Sequence, residues 1–260
     1  HLSDRNNSRN RKYKKKTTDL LYSVAVPATS GYQTMLKNIG SIENQGYELS
    51  IESDNLTGAF SWTTAFNIAF NRNKVLELGG EEYKEMAEGD GHLKTGSVRR
   101  LIVGEPIGVF YGYRFDGIFQ NEEECKQQTS SASPIGVGLR RYKDLNGDGK
   151  VDAANDREIL GDANPKFFGG LTNTFAYKGF ELNVFLQYSY GNKILNYNAM
   201  ELENPTGGQN AYADMVNRWT PENPSNIYPK ATTNRALLVS DRFIEDGSYL
   251  KLKTLSLSYS

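Results

Sequence analysis

The chain has 260 residues, a formal net charge of −1, 38% hydrophobic residues and a single cysteine, Cys125. The near-neutral balance leaves no chain-wide basic footprint for nucleic acid, and one cysteine excludes an internal disulfide. No run approaches the roughly 18 consecutive apolar residues of a membrane-spanning helix, which says nothing against spanning strands, since these need only about 10 residues with alternate positions apolar.

Residues 1–16 are polar and basic, with Arg5, Arg9, Arg11, Lys12, Lys14, Lys15 and Lys16. They are expected to form a solvated, disordered end; the alternative is a phosphate- or lipid-binding arm. The segment has no apolar stretch of the signal-peptide kind, so any secretion signal is expected upstream of it. A strand is predicted over Asp19–Val26, followed by a Pro/Gly loop from Pro27 to Gly46. Two period-two strands come next. In the first, Tyr47, Leu49 and Ile51 share one face and Glu48, Ser50, Glu52 and Asp54 the other. After the turn Asn55-Leu56-Thr57-Gly58, the second places Phe60, Trp62, Phe66, Ile68 and Phe70 on one face, interrupted by Thr64, with Ser61, Thr63, Ala65, Asn67 and Ala69 opposite. Neighbouring side chains in a strand point to opposite faces, so this is an apolar wall backed by a polar or small one. Its predicted length of about 12 residues exceeds the usual 5–6 of globular strands.

The pattern returns near residue 170. Leu171, Phe175 and Tyr177 precede the turn Lys178-Gly179, and Phe180, Leu182, Val184, Leu186, Tyr188 and Tyr190 then share a face. Glu181, Asn183, Gln187 and Ser189 oppose them, with Phe185 as the exception. From Ser248 to Ser260 the alternation changes phase near Thr254, as a bulge or a strand leaving the membrane would require. Long polar connections, Gly79–Gly96, Gln120–Arg141 and Asn192–Ser240, separate these strands. Their alternation with tight turns is expected of a barrel with short turns at one end and long loops at the other. Before any resemblance is considered, a soluble, calcium-stabilised β-sandwich that binds carbohydrate stays open as the rival reading. A glycoside hydrolase, needing two convergent carboxylates, ranks third.

The sharpest local motif is Asp144-Leu145-Asn146-Gly147-Asp148-Gly149-Lys150-Val151-Asp152, the first nine positions of a calcium loop. Alternate oxygen-bearing side chains would wrap a hard cation, Ca2+ or Mg2+. Candidate ligands are Asp144, Asn146, Asp148, the Lys150 carbonyl, Asp152 and Asp156, with Glu158 as a further acid. Position twelve is Asn155, so the closing acid falls one residue late; an Asp/Asn/Gly turn without metal is an equal alternative. No metalloprotease, redox or hydrolase signature is present, and His92 sits in a Gly-rich loop, so no catalytic residue is assigned.

Several segments, in order, resemble the SusC/RagA-type TonB-dependent transporters of Bacteroidota. They are Lys16-Thr17-Thr18-Asp19-Leu20-Leu21; Asn38-Ile39-Gly40 through Asn44-Gln45-Gly46-Tyr47-Glu48-Leu49; Phe70-Asn71-Arg72-Asn73-Lys74-Val75; Val103-Gly104-Glu105-Pro106-Ile107-Gly108; Tyr111-Gly112-Tyr113; Asp116-Gly117-Ile118-Phe119; Ile159-Leu160-Gly161-Asp162-Ala163-Asn164-Pro165-Lys166-Phe167; Arg218-Trp219-Thr220; and Ile244-Glu245-Asp246-Gly247-Ser248-Tyr249-Leu250-Lys251. The resemblance covers roughly residues 16–260 and implies an all-β fold, part of a transmembrane antiparallel β-barrel with long extracellular loops, in the cell outer membrane. It further implies import of oligosaccharides or peptides, a SusD-like surface lipoprotein as lid, TonB as energy source, and a divalent ion in the Asp-rich loop. The expected organisation is a basic end at 1–16 and, over 17–260, the C-terminal part of the barrel, with plug and final strands absent. Glu48, Glu52, Asn67, Glu181, Asn183 and Gln187 would line the lumen or the loops, and Trp219 and Tyr228 are candidates for stacking on sugars, with loop packing the favoured reading for both.

Overall fold

The computed structural model describes residues 6–25, 34–86, 97–203, 210–233 and 238–260; His1, Arg5 and His92 lie outside them. The chain begins with three long strands, β1 (Asn6–Ala25), β2 (Thr34–Leu56) and β3 (Phe60–Leu78). It then makes an excursion containing β4 (Tyr83–Met86), β5 (Arg99–Ile102), β6 (Val109–Tyr113), β7 (Phe115–Ile118), the short helix α1 (Glu122–Lys126), β8 (Thr129–Ser130), β9 (Arg140–Tyr142), β10 (Lys150–Val151) and β11 (Arg157–Asp162). It returns as β12 (Phe167–Tyr177) and β13 (Phe180–Tyr190), leaves again through β14 (Lys193–Leu195), α2 (Tyr197–Leu202) and β15 (Ile244–Asp246), and comes back as β16 (Tyr249–Tyr259).

Strands β1, β2, β3, β12, β13 and β16 form one antiparallel sheet in that order, the wall. Two expectations need correction here. The basic end is strand from Asn6 onward, and the segment Thr34–Gly46 is the first half of β2 rather than loop. Polar composition argues for disorder only where the backbone lacks a partner. Here Asn6 to Thr17 pair residue by residue with Ser53 to Ile42, and alternation places successive charges on opposite faces. Cys125, expected in a loop, sits in α1, whose N-cap Asn121 accepts from the Glu124 amide.

Directly paired residues point to the same face, so the registers lay out a grid. On one face the lowest row is Phe60, Tyr177, Phe180 and Tyr259. Above it lie Leu56, Trp62, Phe175, Leu182 and Leu257, and a third row holds Ser53, Thr64, Asn173, Val184 and Leu255. Next come Ile51, Phe66, Leu171, Leu186 and Leu252, then Leu49, Ile68, Gly169, Tyr188 and Leu250. The top row is Tyr47, Phe70 and, through the β12–β13 register, Phe167 and Tyr190. Ten residues separate the outer rows along a strand; at about 3.4 Å per residue and a tilt of about 40° they span roughly 26 Å, the height of a transmembrane barrel's apolar band. Aromatic side chains mark both rims, as the girdles of such barrels do. β1 carries Asn6, Ser8 and Asn10 at these levels, so the band ends at β2. The polar third row is internally hydrogen-bonded: Trp62 Nε1 and Thr64 Oγ1 both donate to Asn173 Oδ1, at 2.9 and 2.7 Å.

Among the described residues, no second sheet covers this face. Leu250 is 72% exposed, Leu257 69% and Phe180 52%, the reverse of a sandwich interior. Phe60, Trp62, Leu182 and Leu186 therefore do not pack between sheets, which removes the sandwich rival. The phase change near Thr254 is a bulge. Phe185 pairs with Thr254 and Leu186 with Leu252, so the unpaired Lys253 lets Leu250, Leu252, Leu255, Leu257 and Tyr259 all keep to the apolar face.

Glycines 169 and 170 let β13 aromatics lie flat across β12, one on each face. Tyr188 crosses Gly169 and donates to the Asn67 carbonyl at 2.8 Å, while the Phe185 ring covers Gly170. A Cβ on Gly169 would collide with that carbonyl and with the Tyr188 hydroxyl. Gly169→Ala is expected to lower wall stability by about 1–3 kcal/mol, the usual penalty of overpacking. Denaturant unfolding of the full-length protein in lipid vesicles checks this, and an unchanged midpoint would contradict the packing described.

The connections sort by length onto the two ends of the wall. The turns after β2 and β12 are tight, the second using positive φ at Lys178 (46°) and Gly179 (84°). Both long excursions leave from the opposite end and fold into a cap. Its core includes Val98, Phe110, Leu160, Leu195, Met200, Val239 and Phe243 from both excursions. No described helix is long and apolar enough to cross a membrane, which leaves strand crossing untouched.

Candidate functional site

The second face of the wall is polar. Glu48, Ser50, Glu52 and Asp54 of β2, Asn67 and Asn71 of β3, Thr172 and Thr174 of β12, Glu181, Asn183 and Gln187 of β13, and Ser256 and Ser258 of β16 all point to it by register. The six residues expected to line a lumen are thus brought to one face. Cross-strand bonds hold several in place: Asn183 Nδ2 donates to Thr174 Oγ1 at 3.0 Å, and the Gly170 amide to Asn67 Oδ1 at 3.1 Å. Tyr13 of β1 lies over Gly46 and donates to Asn71 Oδ1 at 3.2 Å.

The cap is joined to the wall at the top of β3. Asn73 Oδ1 accepts from the Ile107 amide at 2.6 Å, and Asn73 Nδ2 donates to Asn164 Oδ1 at 3.1 Å. Asn164 Nδ2 in turn donates to the Ile107 carbonyl at 2.9 Å. Three segments that carried the resemblance, around Asn73, Ile107 and Asn164, meet in this polar joint. Beside it Val75, Leu78 and Leu101 form an apolar cluster.

Inside the cap, charged side chains are buried and tied. Arg100 is stacked between the rings of Tyr83 and Tyr111, at 4.0 and 3.8 Å, and pairs with Glu85. Although partial burial raises the Glu85 pKa, hydrogen bonds from Arg100 and Ser97 outweigh it and hold the carboxyl below its ordinary value. Glu203 Oε2 accepts from Arg242 Nε at 3.0 Å and Nη2 at 2.6 Å, and the Glu203 carbonyl accepts from Arg140 Nη2 at 3.0 Å. Burial pushes the Arg140 guanidinium below its ordinary pKa. Sequence reasoning missed both clusters, because pairings between different strands and loops, 15 residues apart for Arg100–Glu85 and 39 for Glu203–Arg242, leave no periodic pattern.

The Asp-rich loop is folded around its own main chain. Asp144 accepts from the amides of Gly147 and Gly149, both at 2.7 Å, and Asp148 from that of Lys150 at 2.8 Å. Asn146 Nδ2 donates to Asp148 Oδ2 at 3.0 Å, and Lys150 Nζ pairs with Asp152 Oδ2 at 3.1 Å. Asp156 is fully buried and clamps the loop's two ends, accepting from Leu145 N at 2.8 Å and Asp152 N at 2.7 Å. Glu158 turns away to Arg114. The loop thus gathers all six candidate residues in one segment. Among the described residues, however, no three acidic, histidine or cysteine side chains converge on a point. Asp156→Ala strands two amides beneath the loop and is expected to cost about 1–3 kcal/mol per unsatisfied group. Hydrogen exchange of residues 144–156 should rise sharply, with Asp156→Asn intermediate; unchanged protection would show that the clamp is dispensable.

Trp219 and Tyr228 are engaged in packing. Trp219 lies against Gly138 and donates from Nε1 to Gln120 Oε1 at 3.0 Å, and Tyr228 has Arg242 over its ring at 5.2 Å.

Comparison with known proteins places this wall and cap. The chain is 39% identical over 249 residues to TonB-dependent receptor P3 of Formosa agariphila and 35% identical over 251 residues to TonB-dependent receptor P26 of the same organism, covering 95% of this chain in each case. It is 27% identical over 258 residues to TonB-dependent receptor SusC of Bacteroides thetaiotaomicron. Over almost its whole length the chain is similar to TonB-dependent receptors, SusC among them. It spans about a quarter of the length of these relatives, 24%, 25% and 23% respectively. No family model matches it. Among solved structures, the RagAB peptide transporter matches over 98% of this chain and 27% of its own, with a TM-score of 0.75 at 23% identity. The RagAB peptide importer in its open-open state gives 0.77 over 99% of this chain and 26% of its own, at 22% identity. At these identities the likeness is one of fold, an all-β receptor barrel, and the matched relatives carry the names of receptors and transporters rather than enzymes.

Proposed function

We propose that the chain forms part of the wall and surface loops of an outer-membrane importer for oligosaccharides, peptides or other large nutrients, energised through TonB and working with a SusD-like surface lipoprotein. The observation that supports this most is the single-layer wall: an apolar band of bilayer height on one face, a hydrogen-bonded polar surface on the other, and every long excursion at one end. Only lipid suits the first face, and a wet passage suits the second. The cap then lies on the side where substrate and lipoprotein would arrive. Fractionation of cells expressing the full-length parent gene, followed by detergent extraction and pull-down, tests the reading. Recovery in the outer membrane together with a lipoprotein of this kind supports it; recovery as a soluble, unpartnered protein overturns it.

The same reading includes a divalent cation in the Asp-rich loop, with Asp144, Asn146, Asp148, the Lys150 carbonyl and Asp152 as donors and Asp156 as the inner clamp. The alternating oxygens support it. Binding requires the Asn146 amide and the Lys150 ammonium to swing off the carboxylates they now contact. Calorimetric titration with Ca2+ and with Mg2+ decides: a saturable heat abolished by Asp148→Ala supports the site, and no heat removes it.

A further inference from the structure

The grid of the wall continues above the upper aromatic rim on the apolar side. Three successive rows across β1, β2 and β3 read Lys12, Tyr47, Phe70; then Lys14, Gln45, Arg72; then Lys16, Glu43, Lys74. No bulge interrupts the register over these rows, so all nine side chains point to the same side of the wall, above the band on β2 and β3 and beside its edge on β1. Five are cationic, and all five are exposed. Glu43 is the one acid in the grid and is bridged to Lys14 at 3.0 Å. Strands about 4.8 Å apart and rows about 6.8 Å apart make a patch of roughly 10 by 14 Å.

Height decides what such a patch faces. The Lys12 row lies at the aromatic rim, where hydrocarbon ends. With the tilt used above, the Lys14–Arg72 row stands about 5 Å higher and the Lys16–Lys74 row about 10 Å higher. The headgroup layer occupies about 5–8 Å beyond the hydrocarbon on each side. The Lys14–Arg72 row is therefore level with lipid phosphates, with the Lys12 and Lys16–Lys74 rows about 5 Å below and above it, within reach of a lysine side chain. Arg72 is held in place: its Nη1 donates to the carbonyls of Asn71 at 2.8 Å and Lys166 at 2.9 Å, while the residue stays exposed. An anchored guanidinium beside exposed ammonium groups suits phosphate oxygens, which accept both the planar fork and point charges.

We propose that Lys12, Lys14, Lys16, Arg72 and Lys74 form a docking site for the phosphate groups of an anionic glycolipid in the cap-side leaflet. The proposal rests on the outer-membrane reading above. The patch holds the barrel at a set depth and immobilises a shell of lipid beside the cap. A basic residue near an anionic surface contributes about five-fold in affinity, so four substitutions together approach a loss of several hundred-fold.

The test uses the full-length receptor in detergent, wild type and a K14Q/K16Q/R72Q/K74Q variant, with phosphorylated lipid A, the same lipid A dephosphorylated, and inorganic phosphate as probes. The expected result is saturable binding of phosphorylated lipid A, weakened by salt and by dephosphorylation and lost in the variant, with inorganic phosphate failing to compete. Equal binding by wild type and variant, or equal binding of both lipids, overturns the proposal. So does full competition by inorganic phosphate, which would mark a free-anion site. Heat-modifiable migration on gels is measured in parallel on both proteins. A wild type that never reaches the outer membrane defeats the underlying reading, whereas a correctly inserted pair with indistinguishable lipid binding defeats only the patch.

Discussion

Leu186→Arg is expected to destabilise the inserted barrel by about 2–4 kcal/mol, whereas Gln187→Arg one residue later should leave stability nearly unchanged. Leu186 belongs to the fourth of six rows on the apolar face, between Leu171 and Leu252, close to the middle of the band. A guanidinium there has no water, and the nearby amide oxygen on that face, Asn173 Oδ1, already accepts from Trp62 and Thr64. Gln187 pairs with Gly170 and Lys251 on the polar face, where an added charge stays hydrated. Unfolding midpoints of both variants of the full-length protein in lipid vesicles provide the measurement. The contrast between neighbours is what matters: a general intolerance of arginine in β13 would lower both midpoints, and only a sided wall lowers one.

Glu203→Gln is expected to loosen the second excursion by about 3–5 kcal/mol while sparing the wall. The carboxylate accepts two hydrogen bonds from Arg242, and the main chain of the same residue accepts one from Arg140. Neutralising it leaves two guanidinium groups in a poorly hydrated pocket. Hydrogen exchange over residues 196–203 and 238–246 should accelerate by orders of magnitude, with heat-modifiable migration of the barrel unchanged. Adding Arg242→Met to Glu203→Gln removes one of the stranded charges and should restore part of the protection. If the double variant is no better than the single, the loss stems from packing rather than charge.

The wall was legible in the sequence because a strand writes its faces into alternate positions. Tyr47 to Ile51, Phe60 to Phe70 and Phe180 to Tyr190 declare an apolar side, and the phase slip at Thr254 left a bulge or a strand leaving the membrane, of which the register shows the bulge. The second half of β1 was legible from Asp19 on, but its first half was not, since a strand held by backbone pairing to one neighbour needs no apolar face; Arg9 to Lys16 read as a solvated tail. The same pairing hid the first half of β2 behind its glycines. In the cap, the Asp-rich loop was visible as a spacing, but the inward turn of Asp156 was not. The contacts of Asn73 with Ile107 and Asn164, and of Glu203 with Arg242, join residues far apart in the chain, where no local periodicity exists to report them.

The separation of tight turns from long excursions also bears on how the wall assembles. β2 with β3, and β12 with β13, are hairpins whose partners follow each other directly. The seam between β3 and β12 joins strands roughly ninety residues apart in the chain, and such non-local contacts form slowly because the intervening loop must be closed first. The main core of the cap needs both excursions, but the first carries a small buried cluster of its own, Tyr113, Tyr142 and Val151, which is able to shorten that loop by forming before the seam. On this account the cap serves assembly: loosening the Asn73–Ile107–Asn164 joint should delay zipping of the two hairpins even where the finished barrel is equally stable.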